Sequence, residues 1–129
     1  MKKVMIVDDE PDILKSFKLV LEKENYEVIT VSSGKECLRK LERGFQGVIL
    51  MDIMMPEMSG FDTIRAIVDQ GYISNVAIEI VTGMGIKDAK NMGIMEPYVH
   101  DYLAKPVNIN HLINSVEKCN AYLEAKSKT

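Results

Sequence analysis

Four strand-like runs in this chain each lead into a residue able to do chemistry. Val4-Met5-Ile6-Val7 leads into Asp8-Asp9, and Val48-Ile49-Leu50-Met51 into Asp52. Val76 to Val81 leads into Thr82, and His100 to Ala104 into Lys105-Pro106. One at a time these residues have ordinary explanations. Asp8 or Asp9 can cap a following helix. Asp52 can belong to a turn ahead of Pro56 and Gly60. Thr82 before Gly83 can be a turn hydroxyl, and Lys105 a solvated surface lysine. Together they are three carboxylates, a hydroxyl and an ammonium. Carboxylates brought close repel, so either one holds a proton or a cation sits among them. Oxygen ligands with no Cys or His in the set favour a hard ion. A few carboxylates, with room left for water and substrate oxygens, suit Mg²⁺ better than Ca²⁺.

Whether these groups meet depends on the elements that carry them. Short apolar runs alternate with amphipathic stretches along the whole chain. After the first run, Pro11 suits the first turn of a helix, and Ile13, Phe17, Val20, Leu21 and Glu24 follow helical spacing. Tyr26 to Val31 is rich in β-branched residues and reads as a second strand. Ser33-Gly34-Lys35-Glu36 has the spacing of a capping box. The helix it opens buries Cys37, Leu38 and Leu41 and stops at Gly44. Ser59 caps a helix that buries Ile64, Ile67 and Val68 and stops at Gly71. The fourth strand, Val76 to Val81, is interrupted only by Glu79. A weaker helical stretch follows, flanked and broken by Gly83, Gly85 and Gly93 and ended by Pro97. Asn108 caps a last helix with Ile109, Leu112, Ile113, Val116 and Leu123 on one face.

Five strands alternating with five helices predict an α/β fold, a parallel sheet covered on both faces. Right-handed crossovers make it doubly wound, and the flavodoxin-like version has strand order 2-1-3-4-5. A parallel sheet puts Asp8, Asp9, Asp52, Thr82 and Lys105 on one edge, where ligands of such sheets bind.

The 129 residues suffice for one domain. A net charge of −3 without a basic stripe argues against direct nucleic-acid binding. No apolar run reaches the roughly 18–20 residues of a membrane span. The first run is too short for a signal peptide and meets two acids. Cys37 and Cys119 lack metal spacing and read as free thiols of a cytoplasmic protein.

The ordered set Ile6-Val7-Asp8-Asp9-Glu10, Met51-Asp52-Ile53-Met54-Met55-Pro56 with Gly60, Thr82-Gly83, and Tyr102-Leu103-Ala104-Lys105-Pro106 resembles the receiver domain of two-component response regulators, the CheY-like family. The resemblance spans roughly residues 2 to 125. It implies a receiver domain over 1–125 with a polar tail at 126–129. It also implies that Asp52 accepts a phosphoryl group from a histidine kinase or phosphotransfer protein. Asp9, Asp52 and the backbone carbonyl of Met54 would ligate Mg²⁺ directly, with Asp8 holding it through water. Lys105 and Thr82 would contact phosphoryl oxygens, Tyr102 would change rotamer with Thr82, and the Lys105-Pro106 bond would be cis. Such a protein catalyses its own phosphorylation and dephosphorylation yet acts mainly as a signalling switch. Its output partner, unknown here, would dock on the 83–125 face. The physics agrees with these roles. A carboxylate approaches an anionic phosphoryl group only against like-charge repulsion, which a cation and Lys105 offset.

Two other readings compete. One is a binding module of the same fold regulated without phosphorylation, against which the intact acid, threonine and lysine set argues. The other is a hydrolase of the aspartyl-phosphate type. It usually needs a second acid two residues after the nucleophile, and Met54 stands there. Gly83-Met84-Gly85 lacks P-loop spacing. His100 and His111 show no ligand spacing. Nine methionines mostly suit core gaps, but the resemblance sets Met54 and Met84 beside the phosphoryl site. Leu14 is either ordinary packing or a docking spot for kinase helices.

Overall fold

The computed structural model describes residues 2–91 and 96–128. The elements run β1 (Lys3–Val7), α1 (Pro11–Lys23), β2 (Glu27–Val31), α2 (Gly34–Glu42), β3 (Gly47–Met51), α3 (Gly60–Asp69), β4 (Val76–Thr82), α4 (Ile86–Asn91), β5 (Val99–Ala104) and α5 (Ile109–Ser127). Short 3₁₀ turns precede β4 and β5 at Ile73–Asn75 and Glu96–Tyr98. All five strands are parallel, in the order β2-β1-β3-β4-β5. The chain is thus a doubly wound α/β domain of the expected order.

Alternation along each strand builds two cores. Met5, Val7, Ile49, Met51, Ile78 and Ile80 face α2 and α3, packing with Cys37, Leu41, Phe61, Ile64 and Ile67. Val4, Ile6, Val48, Leu50, Ala77 and Val81 face α1 and α5, packing with Phe17, Leu21, Leu112 and Val116. The central strands are apolar on both sides because helices cover both sides. Among the described residues, no helix is long and apolar enough to cross a membrane.

Several local expectations are corrected. Ser33 caps α2 by accepting from Glu36 N–H at 3.2 Å, but the Glu36 carboxylate accepts from Ser32 N–H at 3.1 Å rather than closing a box on Ser33. The full reciprocal box is at Ser59 and Asp62, which opens α3. Ile109, expected on the apolar face of α5, is 44% exposed and lies outside the core packed by Leu112 and Val116. Leu38 and Val68 are only half-buried. Leu14 is half-buried against the α1–α5 core, which is ordinary packing. The last helix runs through Ser127, two residues into the expected polar tail, and Lys126 Nζ donates to the Ser74 carbonyl at 2.9 Å. Gly44 and Gly71 end α2 and α3 at φ +100° and +83°, a conformation that suits glycine. The expected helix breaker Gly93 lies outside the described residues.

Candidate functional site

The carboxyl ends of β1, β3, β4 and β5 carry the acids, the hydroxyl and the lysine to one edge, and backbone bonds set their relative heights. Asp8 N–H donates to Val31 O at 3.2 Å, and Asp52 N–H to Val7 O at 2.9 Å. Lys105 N–H donates to Thr82 O at 2.8 Å, tying the end of β5 to the end of β4. The Lys105-Pro106 peptide is cis. Gly60 brings the start of α3 against the loop after β3. Its N–H donates to Ile53 O at 2.8 Å, and an added Cβ would lie 2.3 Å from Asp52 O.

Carboxylate oxygens of Asp8, Asp9 and Asp52 lie within 4.8 Å of one another. Asp8 and Asp52 are buried and Asp9 is exposed. Lys105 Nζ lies 2.9 Å from Asp8 Oδ2, 3.4 Å from Glu10 Oε2 and 3.7 Å from Asp52 Oδ2. Asp52 Oδ1 accepts from Met54 N–H at 3.3 Å, and Asp8 Oδ1 from Glu10 N–H at 2.9 Å. Burial, then the neighbouring Asp8 charge, push the Asp52 carboxyl up to about 6. Burial likewise raises Asp8, despite the backbone bond from Glu10 and the pairing with Lys105. Burial alone would lower Lys105, but the bond and charge of Asp8 outweigh it and hold the ammonium above its ordinary value.

The charges therefore do not balance among themselves. One ammonium serves three acids besides the exposed Asp9, and the two buried acids hold their protons more tightly than usual. A second cation would resolve this. The donor set is all oxygen, it is open toward solvent through Asp9, and its spacing suits a small divalent ion with water in the remaining positions. The residues present fit Mg²⁺.

Thr82 ends β4 fully buried, and its Oγ1 accepts from Met84 N–H at 3.1 Å, so the hydroxyl hydrogen can point elsewhere. Tyr102 is buried on the α2–α3 side, opposite Ile80 in register, with Lys90 Nζ 5.6 Å from its ring centroid. Met54 is 62% exposed, whereas Met84 is half-buried and packs against the α2–α3 core. Sequence reasoning gave no role to Glu10, which shares Lys105. Its signal was its place one residue past two acids at a strand end. His100 meets Tyr122 edge-on, and His111 Nε2 lies 3.8 Å from Asp101 Oδ2, so neither histidine joins the site. A cleft of about 630 Å³ opens at the opposite end of the sheet beside Lys3, Gly47, Asn75 and Asn120, away from these side chains.

The model of the response regulator receiver domain matches residues 4–117. Among curated relatives, the transcriptional regulatory protein CpxR homolog of Haemophilus influenzae is 32% identical over 91% of this chain. The chain spans about half of that relative, 49% of its length. The polar-differentiation response regulator DivK of Brucella ovis is 29% identical, covering 90% of this chain and 94% of DivK. Among solved structures, a CheY-like receiver domain protein of Methanospirillum hungatei is 39% identical with TM-score 0.82, covering 99% of this chain and 98% of that one. The response regulator TrrA of Thermotoga maritima, solved in complex with Mg(2+)-BeF, is 28% identical with TM-score 0.80, covering 92% of this chain and 99% of that one.

Proposed function

This chain belongs to the response regulator receiver domain family, and from that premise we propose that it is a phosphorylation-driven switch. Asp52 takes a phosphoryl group from a phosphohistidine of a histidine kinase or phosphotransfer protein. The observation that carries this reading is the meeting of three carboxylates within 4.8 Å, with Lys105 Nζ 3.7 Å from Asp52.

Asp9, Asp52 and the Met54 carbonyl would hold Mg²⁺, with Asp8 reaching it through water. The Mg²⁺-BeF complex of the Thermotoga relative supports this assignment. When bound, the ion neutralises carboxylate charge and offsets that of the incoming phosphoryl oxygens. The rest belongs to the chain. The Met54 N–H holds Asp52 Oδ1, which orients the carboxylate. A carboxylate oxygen attacks phosphorus in line. The new O–P bond forms as the N–P bond breaks, and that electron pair leaves on the imidazole. Lys105 can exchange its Asp8 contact for a phosphoryl oxygen, and Thr82 can donate its hydroxyl to another. These bonds exist only with phosphate present, so they are the ones that can shift the fold toward a second state. Tyr102, on the neighbouring strand, is the side chain we assign to report the move of Thr82. A cytoplasmic location, and an output partner on the 83–125 face without direct nucleic-acid contact, complete the proposal.

The test is incubation with acetyl phosphate and Mg²⁺ followed by intact mass and peptide mapping. One phosphoryl group on Asp52 is expected, absent when Mg²⁺ is chelated and absent in Asp52→Asn. Undiminished labelling of Asp52→Asn overturns the assignment. A folded wild type that binds Mg²⁺ but takes no label favours the module regulated without phosphate.

A further inference from the structure

Glu79 sits in the middle of β4 with no solvent exposure, in a strand whose other residues are apolar except the terminal Thr82. Alternation with Ala77 and Val81 turns it toward α5. Its Oε1 accepts from Cys119 Sγ at 2.8 Å, and its Oε2 has no hydrogen-bond partner among the described residues. Among the described residues, no lysine or arginine acts on it. The groups that do act are Cys119, Ser115 and His111 from α5 and Asp101 from β5, while the β3 residue opposite is Leu50. An ionised carboxylate so placed would have lost its water and gained only a weak thiol donor and the Ser115 hydroxyl, which is already given to Asp101 at 3.1 Å. The site suits the neutral acid.

The surroundings also give the proton a route. His111, Ser115 and Cys119 are spaced by four residues, so they form one stripe down α5. Asp101, opposite Glu79 in the sheet, accepts from Ser115 Oγ at 3.1 Å and lies 3.8 Å from His111. The side chains of His111 and Asp101 are 57% and 47% exposed. A polar seam therefore leads from solvent to a buried carboxyl, across the contact of α5 with β4 and β5.

We propose that Glu79 is a proton-operated latch, which keeps α5 seated on β4 and β5 while it carries a proton and loosens that helix when the proton leaves along the seam. Burial favours the neutral form and raises Glu79 above its ordinary value of 4.5, although Cys119 and Ser115 oppose the shift. The native state thus keeps a proton that the unfolded chain releases. The stabilisation is complete below pH 4.5 and is lost as pH rises toward the folded value. The latch needs no phosphate, so it stands apart from the chemistry at Asp52.

The experiment compares wild type with Glu79→Gln, which keeps the shape and cannot ionise. Urea unfolding and amide exchange of α5 are followed from pH 5 to about 8. The wild-type unfolding constant, divided by that of Glu79→Gln, should rise by up to tenfold per pH unit until the folded value is passed. Exchange in α5 should quicken relative to the variant in step. Contributions from Asp8 and Asp52 are common to both proteins and cancel in the ratio. A ratio independent of pH overturns the latch. So that the test survives a variant that does not fold, the Glu79 carboxyl of wild type is also titrated directly by ¹³C NMR. Titration well above 4.5 supports the proposal, and titration at 4.5 overturns it.

Discussion

In the proposed reaction Asp52 has to be ionised to attack phosphorus, yet the fold buries it beside Asp8 and raises it to about 6. Its proton is therefore retained in the native state from its ordinary 3.8 up to about pH 6, and metal-free stability falls as pH rises through that window. Asp52→Asn removes the charge and keeps the shape. In the absence of divalent metal it should be more stable than wild type by about 1–3 kcal/mol at neutral pH, with the difference shrinking toward pH 4. Urea unfolding at a series of pH values measures this, and a difference that does not change with pH refutes it. The methionines bear on lifetime. Hydrolysis needs a water in line with the O–P bond, and a thioether is only a weak acceptor for holding one. Met54 is exposed, whereas Met84 is partly committed to the core. Met54→Asn with Met84→Glu should shorten the aspartyl phosphate lifetime without preventing its formation, and Met54→Asn alone should account for most of the effect. Decay of labelled protein, followed by loss of the mass increment, decides it. An unchanged rate excludes water exclusion by these side chains.

Among the elements, α3 is the most tightly tied to the site. Its capping box at Ser59 and Asp62 and the close approach at Gly60 hold it against the loop that carries Asp52 and Met54. A Cβ at Gly60 would meet backbone atoms, Asp52 O at 2.3 Å and Ile53 Cα at 2.8 Å, which cannot swing aside as a side chain can. Gly60→Ala should cost about 1–3 kcal/mol and slow labelling of Asp52, because the strain falls on the proposed acceptor residue itself. Gly83→Ala is the matched comparison, since nothing lies within 4 Å of its added Cβ. It should change stability by less than about 0.5 kcal/mol. Thermal melts and labelling rates of the two variants give the contrast, and equal behaviour would deny that backbone proximity at α3 shapes the site.

For the whole molecule, the proposed metal binding and signalling would both be shifts of one equilibrium. Because Mg²⁺ would bind the folded carboxylate cluster and not the dispersed one, it should raise Tm with concentration, following mass action. Asp9→Ala removes a proposed direct ligand and should abolish most of that rise. An equal Mg²⁺ response in both proteins argues for a site elsewhere. Phosphorylation must do more. Turning a switch from 1:99 to 99:1 takes about 5.5 kcal/mol of differential stabilisation. Two or three charge-assisted bonds from Lys105 and Thr82, at roughly 1.5–3 kcal/mol each, are of that size. Amide exchange at the end of β4, in α4 and along β5 should therefore change on phosphorylation. Unchanged exchange there would rule out coupling through Thr82 and Tyr102.

The periodicity of apolar residues determined the five strands, the five helices and the edge on which the chemistry lies. Alternating short runs and amphipathic stretches admit few other parallel arrangements. The residues after those runs were legible for the same reason, since a strand end in a parallel sheet has only one edge to occupy. Three-dimensional packing alone decided the rest. Glu10 became a third acid on Lys105 because the sheet register sets Val7 level with Tyr102, so that both side chains stand three residues beyond level positions although 95 residues separate the pair. In the sequence Glu79 is only a polar interruption of an apolar run. Its meaning depends on Cys119, 40 residues away, and on α5 excluding water from it. Burial and proton affinity are properties of what surrounds a side chain, and those surroundings come from segments distant in the chain.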